Sequence, residues 1–388
     1  MNYPSESLNG AETDIPRLIE IEPTYSCNLR CVMCHVPTHS DRKPMFLDIK
    51  RLEAATREVE GCHIILGSEY EPTIHPDFED LFRLIIKRNW RVDFLSNATK
   101  LHAVDQGLLA DVPFHVFNAS FDGCSKESFE HTRAGADYDI VKNNVIRTAS
   151  LVRARGGFTA INATMVRSNL RETVDMVKMW NDEGFDLIRL LVAQARDTRK
   201  VVLEESLLPV KSKLFRTFHD VADEIVNRNM SIGARSGFYE TELFDKPIGG
   251  HLHQATIFSN KASYRYVPGV RQDFQSGSWP GMSVRCTSPF VYCRVRWDGN
   301  VDLCNRRDRV IGNIYENSLL EIWHGEKACE MRDAIRRDIV GCQACDYLRF
   351  CIQSRSQDYD DESSYFASGL YNSPGIQDVI CQIMEVKL

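Results

Sequence analysis

The 388-residue chain lacks the features that mark most specialised locations. No run approaches the ~18 consecutive apolar residues that a membrane-spanning helix requires. Met1 to Pro16 is polar and without the apolar core of a secretory signal, so the expected compartment is the cytoplasm. No long basic block occurs, and a net charge of −7 argues against a general nucleic-acid or membrane-surface role. Internal repeats and low-complexity tracts are also missing. What remains is an ordinary globular composition, long enough for one barrel-sized domain and a smaller one.

Cysteine, by contrast, is plentiful. Thirteen are present, an odd number that does not fit a disulfide framework in a cytosolic chain. Three lie in Cys27–Cys34, and seven more stand at metal-like spacing from Cys286 to Cys381. Cys62, Cys124 and Cys329 stand alone, and Cys62 and Cys329 read as core residues. Clustered thiolates fit iron–sulfur ligation, with zinc the competing metal.

From Leu18 to about Val192, short apolar runs alternate with amphipathic stretches, as in βα units around a parallel sheet. Expected strands are Leu18–Pro23, Cys62–Leu66, Arg91–Leu95, His115–Ser120, Phe158–Met165 and Leu187–Val192. Expected helices include Asp48–Glu60, Asp77–Arg88, Tyr138–Arg155 and Arg171–Glu183, with a further one from about Val210 to Asn229. In Asp77–Arg88, residues Phe78, Leu81, Phe82, Ile85 and Ile86 recur at helical spacing. Six βα units are fewer than the eight of a closed barrel, so the predicted fold is α/β, a partial (β/α)6 TIM barrel. Ligands of such sheets sit beyond the carboxyl ends of the strands, where the first cysteines fall. Ser231–Arg285 reads as irregular, a connection with a substrate-covering role.

Cys27, Cys31 and Cys34 are spaced C-x3-C-x2-C directly after the first apolar run. Three such thiolates can hold three corners of a cubane cluster and leave the fourth iron without a protein ligand. Zinc, or a four-ligand cluster completed by His35, is the alternative. The triplet in this context resembles the radical S-adenosylmethionine superfamily. That resemblance implies a [4Fe–4S] cluster whose open iron chelates S-adenosylmethionine, with reductive cleavage to a 5′-deoxyadenosyl radical that abstracts hydrogen from substrate. An electron donor such as flavodoxin or ferredoxin goes with it.

Further segments follow in the family's order. Met33 takes the place of the usual aromatic before the last cysteine, with its backbone near the adenine. Residues 67–78 resemble the family's Gly-Gly-Glu-Pro segment, with Glu69 and Tyr70 in place of two glycines before Glu71-Pro72. Glu69, Glu71 or a backbone carbonyl would then meet the methionine amino group. Ser96-Asn97 resembles Thr-Asn-Gly, and Ser120-Phe-Asp-Gly123 resembles Ser-x-Asp-Gly. Ser120 and Arg133 match cofactor contacts, a guanidinium being suited to a carboxylate. Leu191 and Val192 either floor the adenine pocket or are plain core. Cys124 is a candidate hydrogen-atom donor or a buried apolar residue.

The second cysteine set resembles the SPASM extension of the same superfamily. Cys286, Cys293 and Cys304 match ligands of a first auxiliary cluster, and Cys342, Cys345, Cys351 and Cys381 those of a second. The Asp298-Gly-Asn turn should bring Cys293 and Cys304 together. Arg355 stands where the fuller pattern has a cysteine, so the first cluster keeps an open iron, recruits another ligand or is absent. A rival scheme binds a single cluster with Cys293, Cys304, Cys342 and Cys345. Asn305 replaces the aspartate of one sulfatase-maturing branch, which argues against that branch.

The domain organisation expected from these resemblances is an extension (1–17), the partial barrel (18–230), a connecting region (231–285) and the SPASM-type module (286–388). The substrate is a peptide or a small molecule such as an aminosugar or cyclitol. A non-catalytic electron-transfer protein is the reading from another class. Only 26 residues precede Cys27, too few for an amino-terminal peptide-recognition domain.

Overall fold

The computed structural model describes residues 14–36, 43–193, 200–207, 210–239, 252–258, 288–304 and 309–336. Cys286, Cys342, Cys345, Cys351 and Cys381 lie outside the described residues. Strands β1 (Leu18–Ile21), β2 (His63–Leu66), β3 (Arg91–Ser96), β4 (Phe114–Ser120), β5 (Phe158–Met165) and β6 (Leu187–Val192) pair side by side in chain order, all parallel. Helices α1 (Ile49–Ala55), α2 (Phe78–Lys87), α3 (Gln106–Asp111), α4 (Lys126–Thr132), α5 (Tyr138–Ala154) and α6 (Thr173–Asp182) fill the connections, with α7 (Lys200–Glu204) and α8 (Lys211–Asn227) following β6. This is the partial barrel expected.

The region read as irregular begins with two strands. β7 (Gly233–Tyr239) adds a seventh parallel strand beside β6, and β8 (Leu252–Phe258) returns antiparallel. Two glycines and no apolar alternation hide β7 in the sequence, and its place is set by backbone pairing with β6. On the other edge, β9 (Tyr292–Val295) follows the short α9 (Ser288–Val291) and runs parallel to β1. β10 (Asn300–Asp302) and β11 (Val310–Asn313) continue antiparallel, so the described sheet has 11 strands. The Asp298-Gly-Asn segment does make the β9–β10 turn, with Gly299 at φ +79°. α10 (Leu319–Trp323) and α11 (Glu326–Arg336) complete the described chain, α10 starting on a reciprocal Ser318–Glu321 capping box.

The strands bury both faces, but unequally. Ile19, Ile21, Ile64, Phe94, Phe117, Ile161 and Ile188 join the helices in one apolar core. Alternate positions on the same strands carry Glu20, Asp93, Asn118 and Arg189, buried and polar. Along α2, Phe78, Leu81, Phe82 and Ile85 are buried as the spacing predicts, whereas Ile86 is 36% exposed and Leu84 takes its place. Leu84 shares the side of Arg88, whose guanidinium bonds Glu53 O of α1 at 3.0 Å, so that flank is the covered one.

Candidate cluster and cofactor site

The cysteine loop leaves the carboxyl end of β1 and is tied to the end of α4. Arg30 N donates to Ala134 O at 2.9 Å and Val32 N to Thr132 O at 3.0 Å, which brackets Arg133. Tyr25 packs against Tyr70 (4.9 Å) and Trp297 (4.4 Å), joining this loop to the one after β2 and to the β9–β10 hairpin. Leu29 N donates to Cys27 Sγ (3.5 Å), Val36 N to Cys34 Sγ (3.4 Å) and the Asn97 amide to Cys27 Sγ (3.6 Å). Donors aimed at sulfur stabilise the thiolate form a metal requires.

Burial pushes Cys27 up to about 11 and Cys31 up to about 12, with Arg133 opposing the rise in both. Metal binding must therefore displace protons held well above neutral pH.

Arg133 is buried and its Nε lies 2.7 Å from Asp122 Oδ2. Burial works against the Arg133 charge, but Asp122 and the sulfurs of Cys31 and Cys27 hold it above the usual arginine range. Asp122 Oδ1 also accepts from Thr164 N at 2.6 Å. Ser120 closes β4, partly exposed, in register with Asn162 of β5. The Glu71 carboxylate is fully engaged: it accepts from Thr73 N (3.0 Å), Thr73 Oγ1 (2.5 Å), Ser96 Oγ (2.8 Å) and Asn97 N (2.6 Å). It braces the loop after β2 against the end of β3, while Glu69 is 39% exposed beside Arg294. Of the two candidate carboxylates, Glu69 is thus the one left facing outward. Gly67 makes that loop possible, since a Cβ there would sit 2.6 Å from Leu95 O at φ +82°.

The remaining candidates are placed as follows. Met33 is partly exposed within the cysteine loop, and Leu191 is partly exposed near the end of β6, opposite Thr164. Cys124 is turned to Glu172, its Sγ 3.5 Å from Oε2, against the helical layer. Burial and then Glu172 push that thiol up to about 12. Cys293 is fully buried in the apolar core, whereas Cys304 after β10 is partly exposed. Asp302 pairs with Arg294, so continuing the ladder sets Leu303, not Cys304, across from Cys293. Cys62 is buried, but Cys329 is partly exposed, which corrects the core reading for it.

Sequence reasoning passed over several charged groups. Glu22 Oε1 accepts from Ser68 N (2.8 Å), Ser68 Oγ (2.6 Å) and Glu69 N (3.0 Å), and Glu20 Oε2 accepts from Tyr292 OH at 2.5 Å. Burial raises both carboxyls, Glu22 well above the ordinary range with Glu20 adding to it. The alternation Ile19-Glu20-Ile21-Glu22 was the available signal for a strand with one polar face. Asp122 stood inside a quoted motif without a role.

A parallel partial barrel with a cluster-ready thiol loop at its carboxyl face defines a class, and comparison with known proteins agrees. Residues 21–180 match the radical SAM superfamily, and residues 286–346 match SPASM, an iron–sulfur cluster-binding domain. The chain carries a radical SAM domain and a SPASM domain. The two matched domains imply iron–sulfur clusters and S-adenosylmethionine as the cofactors. It is 23% identical over 380 residues to the AdoMet-dependent heme synthase of Oleidesulfovibrio alaskensis, spanning 95% of this chain and 89% of that one. Mycofactocin maturase MftC of Mycobacterium tuberculosis is 25% identical over 156 residues, 39% of this chain and 38% of its own. Streptococcus suis SuiB bound to its precursor peptide SuiA superposes with a TM-score of 0.56 at 15% identity, covering 95% of this chain and 79% of that chain. At that identity the likeness is one of fold. No described helix is long and apolar enough to cross a membrane.

Proposed function

We propose that this enzyme abstracts a hydrogen atom from an unactivated C–H bond of a peptide, leading to a crosslink, an epimerisation or an oxidation. The observation that carries the radical chemistry is the convergence, at one end of the sheet, of Cys27 and Cys31 with Arg133–Asp122, Asn97 and the Glu71 brace. When bound, the cluster and S-adenosylmethionine supply one-electron cleavage to a 5′-deoxyadenosyl radical. Cys27, Cys31 and Cys34 would hold the cluster. Arg133, fixed by Asp122, presents a permanent charge for the methionine carboxylate. Ser120 adds a hydroxyl at the same end, Glu69 or the adjoining backbone would meet the amino group, and Met33 and Leu191 would border the adenine. The electron enters from a flavodoxin- or ferredoxin-type donor, in the cytoplasm. Cys286, Cys293 and Cys304, with Cys342, Cys345, Cys351 and Cys381, are the proposed auxiliary ligands.

The peptide assignment is supported by a maturase among the relatives and by the shared fold of a peptide-bound enzyme. A second reading, a small-molecule substrate, is favoured by a different fact: the heme synthase matches 95% of this chain and MftC only 39%. Anaerobic reconstitution with iron and sulfide, then reduction and assay for 5′-deoxyadenosine, tests the common core. Wild type should form it and Cys27→Ala should not. If neither forms it, the protein is an electron carrier and the proposal fails. A mass change in a precursor peptide encoded beside the gene then separates peptide from small molecule.

A further inference from the structure

At the end of the sheet away from the cysteine loop, three side chains from neighbouring strands converge. His63 opens β2, Asp93 is third in β3 and His115 second in β4. Asp93 Oδ1 lies 2.9 Å from His63 Nε2 and 3.0 Å from His115 Nδ1, and all three ligand atoms fall within 4.8 Å of one another. The imidazole planes stand at 84°, so the two nitrogens approach the carboxylate from different directions. His63 and Asp93 are buried, while the His115 side chain is 12% exposed and leaves a route from solvent.

The backbone is bent to achieve this. Val92 pairs with Phe114, but the next residue, Asp93, pairs with Val116, so His115 is an extra residue in the ladder. Bulges are rare between parallel strands and serve to re-aim a side chain. In a regular strand His115 would share the face of Phe117 and Ala119, which lie in the apolar core. The bulge turns it to Asp93 instead. His63 Nδ1 is buried with no hydrogen-bond partner among the described residues, so its ring is held by the Nε2 end.

Two imidazoles and a carboxylate on rigid strands form an N2O set of the kind that divalent transition ions accept, with bonds of about 2.0–2.2 Å. An oxygen about 3 Å from each nitrogen, with all three atoms within 4.8 Å of one another, fits around one such ion. We propose that His63, Asp93 and His115 bind a divalent transition-metal ion, zinc being the simplest, at the base of the partial barrel. It would pin β2, β3 and β4 together, separately from the iron–sulfur sites. Arg189, buried on β6 and held by Asn118 and Asn162, also feels the Asp93 charge and would moderate the affinity.

The test uses the full chain with its clusters reconstituted, washed with chelator and dialysed against zinc(II). Zinc per chain is measured for wild type, Asp93→Asn and His115→Gln. Vacant cysteines take up zinc in every sample, so the difference is what counts. Wild type should keep about one more zinc per chain than either variant. X-ray absorption at the zinc edge of wild type should show nitrogen and oxygen ligands with imidazole scattering. Equal zinc in all three proteins, or scattering from sulfur alone, overturns the proposal. If a variant fails to fold, the wild-type absorption spectrum decides by itself.

Discussion

Glu172 offers a quantitative test of how the barrel's helical layer supports the cofactor end. Its carboxylate accepts from Cys124 N (3.1 Å), Ser125 N (3.2 Å), Ser125 Oγ (2.9 Å) and Ser128 Oγ, which anchors the segment that starts α4. Burial by itself would raise this carboxyl, but the hydroxyl and backbone donors bring it from 4.5 down to about 2. A depressed carboxyl stabilises the fold above its unfolded value and loses that contribution as pH falls through the folded one. The gap corresponds to about 3 kcal/mol at about 1.4 kcal/mol per pH unit. Glu172→Gln keeps one acceptor oxygen and should therefore cost roughly 2–3 kcal/mol at pH 7, on the order of 5 °C in Tm. Urea unfolding of the reduced, cluster-free protein reads the difference directly. It should be full above pH 4.5, shrink below it and be nearly gone at pH 2. Since the same segment carries Asp122, the variant should also raise KM for S-adenosylmethionine while leaving the iron content of the holoenzyme unchanged. A variant as stable as wild type at pH 7 would refute the reasoning, as would a gap that persists undiminished at low pH.

Three further outcomes are expected. Arg133→Met leaves the Asp122 carboxylate buried without its cation and should cost about 3–5 kcal/mol, most of it recovered in the Arg133→Met/Asp122→Asn double variant, measured by urea midpoints. Gly67→Ala combines a left-handed backbone with a Cβ 2.6 Å from Leu95 O and from Pro72 Cγ, and should destabilise by roughly 2–4 kcal/mol in thermal unfolding. Reconstituted wild type should hold about eight or about twelve irons per chain, and Cys304→Ala should lower the count by about four, read by iron analysis.

Strands with a strong apolar character were legible: Phe158–Met165 and Leu187–Val192 fall where the pattern puts them. β7 was not, because Gly233-Ala-Arg-Ser-Gly-Phe-Tyr has little side-chain signal and gains its order from the β6 ladder. Glu71 shows a different limit. Its residue type allowed either a free ligand or a brace, and only the arrival of Ser96, Thr73 and Asn97 donors decides for the brace. Cys124 could have faced solvent or the core, and its Sγ lies 3.5 Å from Glu172 in the turn before α6.

The cluster chemistry is legible in the amino-acid order, because C-x3-C-x2-C is a local pattern and thiolate ligation depends on spacing within one loop. The alternating parallel architecture is legible there too, since hydrophobic periodicity is a short-range property. Which distant charges meet is set by the packing of strands and loops far apart in the chain. Asp122 with Arg133, Glu22 with Ser68, and His63 with Asp93 and a bulged His115 are pairings across strands and loops. Burial gives such groups their perturbed character, and burial is a property of the packed sheet rather than of any one segment.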